Sequence, residues 1–204
     1  MYDSPMVRRA IKVAAHAHRH VNRKGTSTPY IAHPVTVLLV LAEAGADEET
    51  LAAGVLHDVI EDCVEEYPAT RLRRDFGDVI TDTVLAVTKD STIKDWRQRN
   101  QGYLDELRKS RNKRAYLVSA ADKISNLTDI LEDYSEVGDK LWGRFNAGKD
   151  GQLWWYGAVA DAMAELLPDH ALSQRLARLV AELKHAVNGE DASTRTCLGM
   201  LPSQ

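Results

Sequence analysis

The sequence has few of the features that mark secreted, membrane-spanning or nucleic-acid-binding proteins. Its two cysteines, Cys63 and Cys197, form no CxxC pair, so neither a disulfide scaffold nor a structural zinc site is predicted. No apolar run approaches the roughly 20 residues that span a bilayer. The N-terminal MYDSPMVRRAIKVAAHAHRH lacks the apolar stretch of a signal peptide. A net charge of −4 gives no basic excess. We expect a cytoplasmic protein that binds neither membrane nor nucleic acid.

The pattern of apolar residues predicts an all-α protein. A length of 204 residues suits one domain, and we find no repeat, low-complexity tract or strand-like alternation. Apolar residues recur at helical spacing in nine segments: Ser4–Val21, Pro34–Ala44, Glu48–Asp62, Pro68–Phe76, Asp78–Thr88, Trp96–Ser110, Lys113–Leu131, Leu153–Leu167 and Ala171–Val187. We therefore predict a single helical bundle over residues 1–187, followed by a flexible tail at 188–204.

The segment LAAGVLHDVIEDC concentrates four acid/base groups in six residues: His57, Asp58, Glu61 and Asp62. On one continuous helix they project at about 0°, 100°, 40° and 140° around the axis and form a single polar stripe. Gly54 falls inside that stripe, where the absence of a side chain would let a ligand approach. An adjacent His-Asp pair followed one turn later by two carboxylates can hold a divalent metal and activate water.

Two further polar residues lie elsewhere in the chain. PYIAHP places His33 just before a helix, and SAADKISNL places Asp122 on an amphipathic helix with Asn126 one turn later. The polar stripe around His57 and the polar face around Asp122 are each, taken alone, also typical of a solvated helix face. Together, the order H…HD…D resembles that of the HD phosphohydrolase superfamily. Two histidines and two aspartates form a mixed nitrogen and oxygen site that suits Mn²⁺ and similar metals.

The resemblance is closer to one branch of that superfamily. The segments AHRHVNRK, PYIAHP, TLAAGVLHDVIEDC and ADKISNL follow one another as in the hydrolase domain of the RelA/SpoT homologues. The stand-alone small alarmone hydrolases are especially similar. The similarity covers about residues 10–165 and leaves no room in this chain for the synthetase or regulatory domains of the long homologues.

This resemblance implies an activity, a cofactor and a set of site residues. The activity is hydrolysis of the 3′-pyrophosphate of ppGpp or pppGpp to GDP or GTP and pyrophosphate, with Mn²⁺, on a helical HD fold. The metal ligands that match by position are His33, His57, Asp58 and Asp122. Glu61 and Asp62 match the catalytic pair, and the matching substrate contacts are Arg23, Lys24, Asn126 and Tyr156. A similarity to other small HD hydrolases adds Arg144 and Lys149.

Two departures and two alternatives accompany the resemblance. Cys63 stands where the family usually has threonine, and the loop between Arg23 and His33 is slightly longer than in many long homologues. One alternative is an HD phosphatase that acts on another nucleotide, such as an adenosine alarmone, a nucleoside monophosphate or NADPH. The other is a non-catalytic nucleotide-binding or antitoxin-like partner. The sequence leaves the oligomeric state open.

Overall fold

The protein is all-α, as the apolar periodicity predicts. The structure, a computed structural model, describes the backbone of residues 4–198 and the side chains of residues 4–189. Its helices are α1 Pro5–Ala17, α2 Ala32–Glu43, α3 Glu48–Leu56, α4 Val59–Asp62, α5 Ala69–Ala86, α6 Trp96–Ser110, α7 Lys113–Val137, α8 Gly148–Leu166 and α9 Ala171–Leu198, with a 3₁₀ helix at Gly138–Arg144. The described residues contain no strand, only an isolated bridge between Asn22 and Pro29. None of the described helices is both long and apolar enough to cross a bilayer.

Short polar side chains fix where several helices begin. The carboxylate of Asp47 accepts a hydrogen bond from the backbone N–H of Thr50 at 2.9 Å and so caps α3. Ser4 and Asn112 cap α1 and α7 in the same way. Such caps satisfy backbone donors that have no partner inside the helix. The start of α3 therefore sets the position of His57, the residue that ends it.

Helices α3 and α7 form the centre of the fold. Helix α3 packs against α1, α2, α5 and α7, and every residue from Thr50 to Leu56 is buried. Helix α7 packs against α2, α3, α8 and α9, and it buries Asp122 and Lys123 among apolar residues. Buried charges are rare unless they are paired or hold a ligand. The two central helices thus carry the polar groups that the sequence singles out.

The single helix predicted over Glu48–Asp62 is wrong, because the regular helix is interrupted at its most polar point. Helix α3 ends at Leu56, Asp58 has φ −93° and ψ −7°, and the short α4 follows. The angular stripe computed for an unbroken helix therefore does not apply past Leu56. His57 is buried while Glu61 and Asp62 are exposed. Neither glycine nor proline marks the break.

The role expected for Gly54 is also wrong. Gly54 faces α2, and a Cβ there would collide with the side chain of Leu41. Its backbone carbonyl accepts a hydrogen bond from the ring of His57. The missing side chain therefore allows two helices to approach closely, as glycine does at tight backbone contacts, and gives no ligand access.

The other helix boundaries differ less from the predicted ones. Gly77, with φ 81°, separates the two predicted segments inside α5 as a kink. Helix α7 continues to Val137, beyond the end predicted at Leu131, and α8 begins at Gly148, ahead of the start predicted at Leu153. Helix α9 runs to Leu198, beyond the end predicted at Val187. Residues 199–204 lie outside the described residues, and the flexibility of the tail stays a prediction.

Candidate active site

Four side chains from three parts of the chain converge on one point. His33 comes from the first turn of α2, His57 and Asp58 from the break after α3, and Asp122 from the middle of α7. Single ligand atoms of His33, His57 and Asp58 lie within 4.8 Å of one another. Asp122 Oδ1 lies 3.2 Å from His33 Nε2 and 3.7 Å from His57 Nε2. We call these four residues the HHDD centre.

Hydrogen bonds orient both histidines of the HHDD centre. His57 Nδ1 lies 2.7 Å from the carbonyl oxygen of Gly54. A carbonyl can only accept, so Nδ1 carries the proton and Nε2 presents a lone pair. His33 Nδ1 contacts the hydroxyl of Ser125 at 3.1 Å, which leaves its Nε2 facing the same centre. Outer partners of this kind hold metal-binding histidines in the correct tautomer.

The two aspartates have outer partners as well. Tyr30 donates its hydroxyl proton to Asp58 Oδ2 at 2.6 Å. Asn126 donates to Asp122 Oδ1 at 2.5 Å, and the ammonium of Lys123 contacts Asp122 Oδ2. Burial alone would raise the pKa of the Asp122 carboxyl, but Lys123 and the two histidines outweigh it and keep that pKa well below its ordinary value. The charge and hydrogen bond of His57, with the charge of His33, likewise outweigh burial and lower the pKa of the Asp58 carboxyl, so both carboxylates are ionised at neutral pH.

The residues of the HHDD centre fit a divalent cation. His57 Nε2 is buried and has no hydrogen-bond partner among the described residues, although it points at two carboxylates. An unsatisfied buried acceptor is costly unless a ligand occupies its lone pair. Two imidazoles and two carboxylates form a donor set without a thiolate, which suits metals of intermediate hardness. The four side chains therefore form a candidate metal site with His and Asp ligands.

A cavity of 330 Å³ opens beside the HHDD centre. His33 and Asn126 form the wall that the cavity shares with the centre, and Arg23, Lys24 and Tyr156 line its other sides. Three short hydroxyl side chains add polar groups that can donate or accept: Thr26, Thr28 and Thr36. The cavity therefore combines cations and hydrogen-bonding groups next to the proposed metal position, as a site for an anionic ligand requires.

Comparison with known proteins shows the family to which the chain belongs. An HD-domain profile matches residues 10–153. The chain belongs to the HD-domain family. A GTP pyrophosphokinase of Streptomyces coelicolor is 50% identical over 88 residues, which are 43% of this chain and 10% of the relative. A guanosine-3′,5′-bis(diphosphate) 3′-pyrophosphohydrolase of Aquifex aeolicus is 35% identical over 136 residues, 66% of this chain and 19% of the relative.

A solved structure extends the match over most of this HD domain. A metazoan orthologue of SpoT that hydrolyses ppGpp is 26% identical and superposes with a TM-score of 0.72 over 89% of this chain and 97% of that chain. The curated relatives are much longer, since this chain matches only 10% and 19% of the two named above. The family predicted from the motifs is confirmed, and so is the all-α fold.

The carboxylates of Glu61 and Asp62, the second pair of polar residues after His57 and Asp58, lie in different surroundings. Glu61 Oε2 accepts a hydrogen bond from the backbone N–H of Lys89 at 3.2 Å. Asp62 is exposed as a residue, but desolvation of its carboxyl and the negative charges of Asp58 and Glu61 raise its pKa to about 6. A carboxyl with a pKa near the working pH can exchange protons efficiently. Proximity to the HHDD centre gives the pair access to whatever binds there.

Aspartates of α7 form ion pairs with two of the cations that line the cavity, Arg23 and Arg144. Arg23 donates to Asn126 Oδ1 at 2.8 Å and to Asp129 Oδ2 at 2.7 Å. Arg144 donates to Asp133 Oδ2 at 2.6 Å, and its aliphatic part lies against Gly25. A bound nucleotide would therefore have to share or replace these ion pairs.

The remaining predicted site residues differ in whether they reach the cavity. Tyr156 is buried and lines the cavity. Lys149 Nζ lies 3.6 Å from Asp139 Oδ1 and does not line this cavity, so its contact with substrate stays a prediction. Cys63 Sγ donates to the carbonyl oxygen of Ala17 at 3.4 Å, so the thiol still makes a local hydrogen bond away from the HHDD centre.

Sequence reasoning missed several residues that shape the site. Tyr30 and Ser125 stand inside the quoted motifs, but only the fold shows that they bond to Asp58 and His33, which are 28 and 92 positions away. The hydroxyl of Tyr30 within PYIAHP was the available signal. Lys89, in the loop after α5, gave no signal, and Asp129 belonged only to a polar stripe on an amphipathic helix, which is ordinary.

Proposed function

We propose that this HD domain hydrolyses the 3′-pyrophosphate of ppGpp or pppGpp and releases GDP or GTP and pyrophosphate. The observation that carries the proposal is the HHDD centre opening onto a cavity with Arg23, Lys24 and Asn126. Such a site combines a hydrolytic metal with cations that can bind a nucleotide's phosphates. The metazoan orthologue of SpoT, which hydrolyses ppGpp, supports the same substrate class.

The proposal includes the metal and its ligands. Mn²⁺ would be held by His33, His57, Asp58 and Asp122, a donor set that suits this ion. When bound, the metal supplies Lewis-acid polarisation of the phosphoryl group. The hydrogen bonds that the four side chains form with Gly54, Ser125, Tyr30 and Asn126 keep them in position before the ion arrives.

Glu61 and Asp62 carry the proton chemistry in this proposal. Water attacks the phosphorus joined to the 3′-oxygen, and the bond between that phosphorus and the 3′-oxygen breaks. Glu61 acts as general acid and base, accepting the proton from water and returning it to the leaving oxygen, while Asp62 orients the water. The raised pKa of Asp62 makes it the alternative proton acceptor, and pH profiles of the two amide variants separate these assignments.

The cavity residues bind the nucleotide in this proposal. The planar guanidinium of Arg23 stacks on the purine, and the ammonium of Lys24 pairs with a phosphate. Asn126 and Tyr156 hold the nucleoside next to the HHDD centre, and Lys149 contacts phosphate at the edge of the site. A cytoplasmic location and a part in the stringent response belong to the same proposal.

A second candidate is hydrolysis of another nucleotide, such as an adenosine alarmone or NADPH. The observation that favours it is that the cavity's cations recognise phosphates and purine faces, which guanine and adenine nucleotides share. A non-catalytic nucleotide-binding protein fits less well, because the HHDD centre and both carboxylates of the second pair are complete.

The test is product formation from ppGpp with Mn²⁺ present, followed by anion-exchange separation. Asp58→Ala removes one ligand, and we expect at least ~10³-fold less turnover because the metal's stabilisation of the transition state amounts to several kcal/mol. Asp161→Ala is the matched control, since Asp161 is an exposed aspartate on α8. It should retain full turnover.

GDP and pyrophosphate that disappear in Asp58→Ala alone support the proposal. Mn²⁺ binding without turnover of ppGpp or pppGpp would contradict the substrate, and a panel of adenosine alarmones, nucleoside monophosphates and NADPH then tests the second candidate. Turnover that survives Asp58→Ala would contradict the metal centre itself.

A further inference from the structure

Two lysines share one aromatic platform beside the HHDD centre. Lys89 Nζ lies 5.8 Å from the ring centre of Tyr103 and 5.1 Å from that of Trp155. Lys123 Nζ lies 5.6 Å from each of the same two rings. Ammonium groups are attracted to aromatic faces at such distances. Tyr103 and Trp155 themselves pack edge to face, with ring centres 5.8 Å apart.

Only one of the two ammonium groups has a carboxylate partner. Lys123 contacts Asp122, whereas Lys89 Nζ forms no ion pair or hydrogen bond with the described residues. Lys89 is partly buried, and desolvation together with the positive charge of Lys123 lowers its pKa to about 8, although the charges of Glu61, Asp122 and Asp58 oppose this shift. Burying a cation without a counter-charge costs several kcal/mol. An arrangement of this kind is favourable when an anionic ligand supplies the missing charge.

The position of Lys89 shows where that anion would lie. Its backbone N–H donates to Glu61, so Lys89 stands beside the catalytic pair just beyond the end of α5. Lys89 does not line the cavity that holds Arg23 and Lys24. That cavity borders the HHDD centre at His33, while Lys89 lies beside Glu61 and shares its aromatic platform with Lys123, the partner of Asp122. The two sets of cations therefore approach the centre from different sides.

The substrate in the proposed function needs cations on both sides of the reacting phosphorus. One side of that phosphorus is the nucleoside, and the other is the second phosphate of the 3′-pyrophosphoryl group. We infer that Lys89, held on the Tyr103 and Trp155 platform, binds that outer phosphate and the pyrophosphate product. This inference rests on the proposed function, and it assigns a subsite for pyrophosphate apart from the nucleoside cavity.

The test is binding of inorganic pyrophosphate to the full chain at a fixed concentration of free Mn²⁺, measured by equilibrium dialysis with labelled pyrophosphate. Lys89→Gln should raise the dissociation constant about 10-fold or more, since hydrogen bonds to charged groups contribute ~1.5–3 kcal/mol. Lys89→Arg keeps the charge and should restore most of the affinity. Lys94→Gln is the matched control, because Lys94 is an exposed lysine in the same loop and should bind like the wild type.

Two further measurements separate this inference from its alternatives. Mn²⁺ binding, followed by electron paramagnetic resonance, should be unchanged in Lys89→Gln, which excludes loss of the metal or of the fold. If Lys89→Gln binds pyrophosphate within twofold of the wild type, the inference is wrong. If the wild type turns over ppGpp in that case, the proposed function survives. Pyrophosphate binding that depends on Lys89 without any ppGpp turnover would leave the subsite standing and contradict the proposed substrate.

Discussion

The two halves of the site are built in opposite ways. In the HHDD centre, the side chains of His33, His57, Asp58 and Asp122 are 1%, 3%, 20% and 10% exposed, and each has an outer hydrogen-bond partner. In the neighbouring cavity, Arg23 and Arg144 are 21% and 29% exposed, and carboxylates of α7 bind both. The first half is ordered before any ligand arrives. The second half holds its cations in ion pairs that a ligand must change.

This difference indicates what each half contributes. Ligands fixed by burial and hydrogen bonds lose little entropy when a metal binds, which favours affinity and exact geometry. Cations that are already paired lose one partner when they gain another, so they add less affinity but discriminate among ligands. Variants on the metal side should therefore change metal affinity, and variants on the cavity side should change the KM.

Tyr30→Phe, which removes one hydroxyl from the metal side, should have a larger effect than any single variant on the cavity side. The phenol donates to Asp58 at 2.6 Å, and burial together with the Asp58 charge raises the pKa of Tyr30, so it stays a donor. Loss of such an outer partner typically reduces metal affinity or activity by roughly 10–100-fold. Mn²⁺ titration followed by electron paramagnetic resonance measures it.

Tyr67→Phe is the matched control for that prediction. Tyr67 also donates its hydroxyl proton to an aspartate, Asp75, at 2.7 Å, but far from the HHDD centre. We expect unchanged Mn²⁺ affinity in this variant. Equal Mn²⁺ affinity in Tyr30→Phe and the wild type would show that Asp58 is held in place without the phenol, and the contrast between the two halves would then be weaker.

On the cavity side, Arg23→Ala should raise the KM for ppGpp by roughly 10-fold, since a charged or stacking contact contributes ~1–2 kcal/mol. The kcat and the Mn²⁺ affinity should change little, because Arg23 does not touch the four metal ligands. Arg19→Ala is the control, as Arg19 also pairs with a carboxylate, Glu66 at 2.7 Å, outside the cavity. A fall in kcat with an unchanged KM would place Arg23 in the chemistry instead of in binding.

The same contrast explains which parts of the site could be predicted. The motif order predicted that His33, His57, Asp58 and Asp122 act together, and the fold does bring them together. The predicted helix through His57 and Asp58 was wrong because no residue there breaks a helix by local preference. At the break, the ring of His57 bonds to the carbonyl oxygen of Gly54 three residues earlier, and Tyr30, 28 positions away, bonds to Asp58. Local propensity is routinely overridden in this way.

The cavity was less predictable for a related reason. Arg23 and Asp129 are 106 positions apart, and pairing at that distance follows from the packing of the Arg23 loop on α7. Lys89 stands outside every quoted motif, and its role depends on Tyr103 and Trp155, which come from α6 and α8. Local sequence patterns identify chemistry that is concentrated in one segment. They do not identify a site whose residues come singly from distant parts of the chain.

A pH profile tests the second carboxylate pair, which lies between the two halves. The pKa of Asp62 is raised to about 6, and Asp62 must be ionised to orient water. Turnover should therefore be complete above this pKa and should fall as the pH drops through it. A bound cation opposes the charge of Asp58, so the fall should lie at or below pH 6. In Asp62→Asn the acid limb should disappear together with most of the activity, whereas residual activity in Glu61→Gln should keep it.

The smallest expected effect is a decrease in KM, opposite in sign to that of Arg23→Ala. Asp129→Asn removes the charge that holds Arg23 at 2.7 Å and leaves only its hydrogen bond to Asn126. Arg23 can then meet the nucleotide more easily, and the KM for ppGpp should fall by about 2–5-fold, as for loss of a partly exposed ion pair. Glu132→Gln removes one negative charge from the same cavity wall without releasing Arg23. If both variants lower the KM equally, overall charge decides and not the ion pair. A rise in KM in Asp129→Asn alone would mean that Asp129 contacts the substrate directly, and the cavity would then be ordered for its ligand as fully as the HHDD centre is.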